Sequence, residues 1–234
     1  VRVEALRGVG AALSGLSDRP LILVHGGGAR VHEVAKSYGA ALGRASPAGL
    51  EGFVKTAIET RRLNQTVTEI LSEAGLRCVG IPSYMVFQTR RGRIVSAELD
   101  TILAALDTGL TPVLPGDVVF DRELGFTVLS GDTISVDLAL RLGAERLVFA
   151  TDVDGVYEEP GEAGRLLEEL DRRRLASVRF RDVGDVTGGM LAKIEEALRA
   201  AEAGVEVMIV NGLHPSRVLD ALLGRPTLGT RIVA

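Results

Sequence analysis

The sequence predicts an α/β protein with a largely parallel sheet. Segments of helical and strand periodicity alternate along all 234 residues, the pattern of repeated strand–helix units. Several strands are short, wholly apolar runs. Glycine-rich or polar turns follow them, and open α/β sheets bind ligands beyond the carboxyl ends of their strands.

Val1 to Leu16 reads as a helix, and Leu21-Ile-Leu-Val24 as a strand running into Gly26-Gly-Gly28. A helix is expected from Val31 to Leu42. A longer helix, or a broken pair, is expected from Gly49 to Ala74, started after Ser46-Pro47 and stopped by Gly75. Cys78 to Ile81 is a strand; Tyr84 to Gln88 and Arg93 to Ser96 form a hairpin around Arg91-Gly92. Glu98 to Leu106 is a helix and Thr111 to Leu114 a buried strand. Val118 to Phe120 pairs with Phe126 to Leu129 in a second hairpin. From Asp132 a helix carries Ile134, Leu138 and Leu142 on one face. Arg146 to Ala150 is a strand that delivers Thr151-Asp-Val-Asp-Gly155. Gly188 to Ala203 is an amphipathic helix with Leu191, Ile194, Leu198 and Ala201 facing inward. A strand Glu206 to Val210, a helix Ser216 to Leu223 and a strand Thr230 to Val233 complete the order.

A net charge of −4 argues against nucleic-acid binding, which rests on clustered Lys and Arg. No segment reaches the ~20 apolar residues of a membrane span, and no signal peptide is evident, so a cytoplasmic location is expected. The single cysteine, Cys78, excludes a disulfide framework within the chain and reads as a buried, inert thiol. Three scattered histidines make no zinc site, and no protein-held metal is expected.

Four turns suit anionic oxygen: His25-Gly-Gly-Gly28, Ser130-Gly-Asp132, Thr151-Asp-Val-Asp-Gly155 and Thr187-Gly-Gly-Met190. Bare backbone approaches a ligand closely, consecutive amides form an anion nest, and a helix starting there adds its positive end. Neither the dinucleotide-binding nor the P-loop glycine spacing occurs. Lys193 lies one turn into the helix opened by Gly188-Gly189, a position unfavourable for a cation unless an anion is bound there. On spacing alone His32 reads as a solvent-facing histidine.

Together the motifs resemble one family. His25-Gly-Gly-Gly28 with His32 and Val34-Ala-Lys36, Gly116-Asp-Val-Val-Phe-Asp121, Ser130-Gly-Asp132, Ala150-Thr-Asp-Val-Asp-Gly155 and Asp185-Val-Thr-Gly-Gly-Met190 with Lys193 are similar, in order, to the isopentenyl phosphate kinases of the amino acid kinase superfamily. The resemblance extends over nearly the whole chain. It implies a three-layer α/β/α sandwich, with a phosphate-acceptor lobe at 1–130 and a nucleotide lobe at 131–234 on one continuous sheet. It implies ATP with Mg²⁺, a small phosphate-bearing substrate and a homodimer.

By resemblance, His32 binds the substrate phosphate and stabilises the transferred group, Lys193 serves the ATP phosphates, and Asp132 orients catalytic lysines. Gly27 and Gly131 meet the substrate phosphate, while Gly28, Asp152, Gly188 and Gly189 serve the nucleotide. Phe53, Thr56, Val118 and Val128 line the slot for the substrate tail, although the two valines read equally well as ordinary core. Arg61 and Arg62 read as a solvated face, Asp117 as a turn former, and His25 as a packed, hydrogen-bonded residue. The resemblance also implies an opening strand with Lys-x-Gly-Gly-Ser, on the order of 15–25 residues with ordinary element lengths, which this sequence does not include. Arg30-Val31 and Pro115 replace residues usual in the family. Rival expectations are a fosfomycin-type, UMP or acetylglutamate kinase, or a non-catalytic nucleotide-binding module.

Overall fold

The computed structural model describes residues 2–16, 18–159, 164–178 and 189–234, which form two compact units, Val1–Ile134 and Ser135–Ala234. The first holds helix α1 (Val3–Ser14), strand β1 (Leu23–His25), α2 (Gly28–Ser37), a 3-10 segment Ala40–Ala45, α3 (Gly49–Glu73), β2 (Cys78–Gly80), α4 (Ser83–Val86), β3 (Phe87–Arg90), β4 (Arg93–Ala97), α5 (Asp100–Asp107), β5 (Thr111–Pro115), β6 (Asp117–Asp121) and β7 (Gly125–Leu129). The unit boundary falls within α6 (Gly131–Leu142). The second unit continues with β8 (Arg146–Thr151), β9 (Glu169–Leu170), α7 (Arg172–Leu175), α8 (Gly189–Glu202), β10 (Glu206–Asn211), α9 (Pro215–Leu222) and β11 (Thr230–Ile232). Among these residues no helix is long and apolar enough to cross a membrane.

The first unit carries two sheets where a single one was expected. One is all parallel, in the order β1-β5-β2; the other is mixed, in the order β4-β3-β6-β7. The chain changes sheet at a corner of one residue, Gly116, between β5 and β6. Its amide donates the last bond of the β1–β5 ladder, to the His25 carbonyl (2.7 Å). All five residues of β5 are buried, as a central parallel strand requires.

Four local expectations need correction and a fifth is narrowed. The helix expected from Val31 to Leu42 starts at Gly28 and stops at Ser37, because Gly39 takes a left-handed conformation (φ 62°) that breaks the turn. Ser83–Val86 is helical, so β3 begins at Phe87. The Ser83 hydroxyl holds that turn by donating to the Pro115 carbonyl. Leu191 is 39 % exposed and lies off the inward face of α8, whereas Ile194 and Leu198 are fully buried. Cys78 is half-buried rather than sealed; burial pushes its thiol pKa up, and the thiol donates to the Thr68 carbonyl. Gly49–Glu73 is one continuous helix rather than a pair.

The β3–β4 hairpin turns on Arg91 and Gly92, both at positive φ, the backbone of a two-residue primed turn. Asp121 staples it to the β6–β7 turn. Its buried carboxylate accepts from the Gly92, Glu123 and Leu124 amides and from the Thr89 hydroxyl. Burial alone would raise the pKa, but these donors outweigh it and hold it well below the ordinary 3.8. A depressed carboxylate pKa contributes stability that is complete above about pH 4 and lost as pH falls below it. Asp121→Ala is therefore expected to cost on the order of 3 kcal/mol at neutral pH by orphaning buried amides. The difference from the parent should shrink in denaturant titrations below pH 4; a gap that stays constant down to pH 2 contradicts the assignment.

In the second unit, β8 and β10 are parallel, β11 is antiparallel to β10, and β9 pairs with β11. Buried Ile194, Ala197, Leu198 and Ala201 of α8 share a core with Phe149, Val207 and Ile209. Neither β9 nor α7 was legible in the sequence.

Candidate phosphate-binding sites

Three glycine corners of the first unit meet around the end of β1. β1 and β5 run parallel with His25 beside Pro115, so Gly26 and Gly116 leave the sheet together. A Cβ built on Gly116 would lie 2.8 Å from the Gly131 nitrogen, and one on Gly131 would lie 3.1 Å from the His25 carbonyl oxygen. The first distance excludes a side chain unless backbone shifts, and the second leaves little room for one. The opening turns of α2 and α6 thus lie beside one corner, and each brings the positive end of a helix.

His25 locks this corner: Nε2 bonds the Asn64 side-chain oxygen (3.0 Å) and Nδ1 lies 2.9 Å from the Gly26 carbonyl oxygen. It is the packed, hydrogen-bonded residue expected. His32 stands in α2, half-buried, with Nε2 3.8 Å from the Cβ position of Gly27, which caps the helix. The structure therefore brings Gly27, His32 and Gly131 into one region. Gly28 adopts φ 65°, a left-handed conformation that favours glycine. Asp132 follows in the first turn of α6 and is half-buried.

The apolar residues expected in a slot also gather. Phe53 and Val128 pack against buried Ala35, Ala40 and Val118. The Phe53 ring lies 5.2 Å from Phe120 and 5.4 Å from Phe126, centroid to centroid. Thr56 is 1 % exposed on the same helix, and its hydroxyl has no hydrogen-bond partner among the described residues.

Arg61 differs from expectation. Rather than a solvated side chain, it forms an ion pair with Asp117, whose side chain is fully buried, and its guanidinium lies 4.7 Å from the Tyr84 ring centroid. Burial pushes the Asp117 carboxyl up to about 6, although Arg61 and the Val118 and Tyr84 amides pull the other way. No signal in the sequence marks this pair, since its members stand 56 positions apart. Arg62 does lie at the surface, paired with Glu59.

In the second unit, Thr151 and Asn211 end adjacent parallel strands in register. The Asp154 carboxylate accepts from the Asn211 amide (2.9 Å) and from Arg217 (2.5 Å), which together hold its pKa down and shape the turn. Asp152 stays exposed in that turn. Lys193 projects from α8 so that Nζ lies 5.0 Å from the ring centroid of Phe149, two residues before the turn. Gly189 opens α8 at φ 51°. Gly188 lies outside the described residues. No cluster of three or more His, Cys, Asp or Glu suited to a metal occurs among the described residues.

Comparison with known proteins places this geometry in context. The model of the amino acid kinase family matches residues 3–211. An isopentenyl phosphate kinase of Methanothermobacter thermautotrophicus is 35 % identical over 98 % of this chain and 90 % of its own length. One from Arabidopsis thaliana is 36 % identical over 85 % of this chain and 67 % of its own. A solved isopentenyl phosphate kinase structure superposes with a TM-score of 0.85 at 32 % identity, covering 100 % of this chain and 92 % of the other.

Proposed function

Since the chain belongs to the amino acid kinase family and, within it, to the isopentenyl phosphate kinases, we propose that it transfers the γ-phosphoryl group of ATP to isopentenyl phosphate, yielding isopentenyl diphosphate and ADP. The observation that carries this reading is the meeting of the Gly26, Gly116 and Gly131 corners at the end of β1, with His32 over Gly27.

An acceptor phosphate held there takes hydrogen bonds from backbone amides and from the His32 imidazole, within the positive ends of α2 and α6. One of its oxygens forms the new bond to the γ-phosphorus as the bond to the bridging oxygen of ADP breaks. Such a transfer depends on positioning and charge neutralisation rather than covalent help. The isopentenyl tail, uncharged and branched, suits the apolar cluster of Phe53, Val118 and Val128, with Thr56 on the same helix.

Lys193, Gly189, Asp152 and Gly28 are assigned to the nucleotide. The ammonium offsets phosphate charge, and the left-handed glycines admit close backbone approach. Asp152, exposed in its turn, is assigned near the nucleotide phosphates. When bound, Mg²⁺ would cancel charge on the triphosphate oxygens. Asp132 is assigned to orienting the cationic groups, and Gly188 to the nucleotide as well. A cytoplasmic homodimer belongs to the same reading.

A panel of ATP-dependent assays tests the substrate. Turnover of isopentenyl phosphate is expected well above that of UMP, N-acetylglutamate and fosfomycin. Equal or faster turnover of any of these rivals overturns the assignment, and nucleotide binding without turnover of any acceptor marks a binding module instead.

A further inference from the structure

Resting on the acceptor role proposed for the first unit, we infer that the Arg61–Asp117 ion pair is a latch that positions the Gly116–Gly131 corner, making both side chains positioning residues for the acceptor phosphate. Neither side chain is assigned to touch the substrate; they act through the backbone that does.

Three consecutive residues are tied to three different elements. Pro115 accepts through its carbonyl from Ser83 at the start of α4. Gly116 donates its amide to His25 at the end of β1. Asp117, the first residue of β6, accepts from Arg61 of α3, from its neighbour's amide at Val118 (2.9 Å) and from the Tyr84 amide of α4. Of these ties, only the one to Arg61 joins the corner to the long helix α3. That helix also carries Asn64, which fixes His25, and Phe53 and Thr56, assigned to the substrate tail.

Gly116 lies against the first turn of α6, with the Gly131 nitrogen 2.8 Å from its Cβ position. A shift of Gly116 toward it soon passes to α6, because packed backbone does not compress.

Stability alone does not account for the pair. Burying a carboxylate and a guanidinium costs more desolvation than an apolar pair of the same volume. Arg61 also leaves Nε and Nη1 buried with no hydrogen-bond partner among the described residues, a further cost. The upward push on the Asp117 carboxyl reflects that burden. What the pair supplies is direction: the planar guanidinium, seated on the Tyr84 ring, meets the carboxylate in a fixed orientation that methyl groups do not define.

The test uses Asp117→Asn, which keeps the shape and an acceptor but removes the charge, together with Arg61→Met and Arg61→Lys. For Asp117→Asn and Arg61→Met, the KM for isopentenyl phosphate is expected to rise on the order of 10-fold or more through misplacement of the corner. The KM for ATP should stay unchanged at temperatures where the variants are folded. The melting temperature should fall because each single variant leaves a buried partner unmatched, and Arg61→Lys should recover part of the acceptor loss. Hydrogen exchange of the Gly116–Val118 and Gly131–Thr133 amides should quicken in the same two variants. An unchanged acceptor KM with unchanged exchange overturns the latch, and so does a loss spread equally over both substrates. If the parent enzyme fails to turn over isopentenyl phosphate, the functional reading falls, and the exchange comparison still decides the latch by itself.

Discussion

His32→Ala is expected to lower kcat/KM for isopentenyl phosphate on the order of 10²- to 10³-fold, the loss typical of removing one donor aimed at developing negative charge. The imidazole stands in the opening turns of α2, above Gly27 and half-buried, next to a corner where only backbone fits. Two phosphate-bearing molecules repel one another strongly wherever water is excluded. A donor at that point therefore counts for more as the transferred group spreads its charge than it does in the ground state. The substitution shortens a partly exposed side chain, so the melting temperature should hold. His32→Asn keeps one N–H donor and should recover part of the rate. Steady-state kinetics at saturating ATP distinguish the outcomes, and a variant that retains parental kcat/KM would move the acceptor phosphate away from α2.

The second large effect is expected of Gly116→Ala. The new methyl carbon would sit 2.8 Å from the Gly131 nitrogen and 3.4 Å from the Leu129 carbonyl oxygen. Both neighbours are backbone, so relief requires β6 and α6 to move apart. Overpacking of this kind costs about 1–3 kcal/mol, which lowers the melting temperature by about 2–12 °C for a chain of this size. The functional loss should exceed what that destabilisation explains. A displacement near 1 Å at a positioned phosphate costs on the order of 10²-fold in rate, even at temperatures where the variant is fully folded. Gly109→Ala serves as a control. Gly109 also ends an element, with φ 75° and nothing within 4 Å of its Cβ position, so it should lose some stability through its left-handed backbone and no activity beyond that. Comparable activity losses in the two variants would show that the Gly116 corner has no special part in catalysis.

The bare-backbone corners of the candidate site were legible because their signals are local. A glycine run after an apolar strand, followed by helical periodicity, identifies a helix N-terminus with bare backbone before it, and no tertiary information is needed to see that. His32 is different: on spacing alone it reads as solvent-facing, and only the family resemblance singled it out, just as Val118 and Val128 read equally well as ordinary core. Phe53, Val118 and Val128 do share one apolar cluster.

What the sequence did not disclose depends on partners remote along the chain. Arg61 reads as a surface charge until Asp117 closes on it across 56 positions. Ser83–Val86 has a strand-like composition but curls into a helix because its hydroxyl finds the Pro115 carbonyl 32 positions away. The change of sheet at Gly116 likewise depends on a carbonyl at His25. Periodicity and backbone chirality act within a turn or two of the chain, so the residue order alone determined the elements and their bare corners. Desolvation and hydrogen-bond pairing act between elements, so only the folded molecule decided which charge is buried, which segment bends and which corner is held rigid.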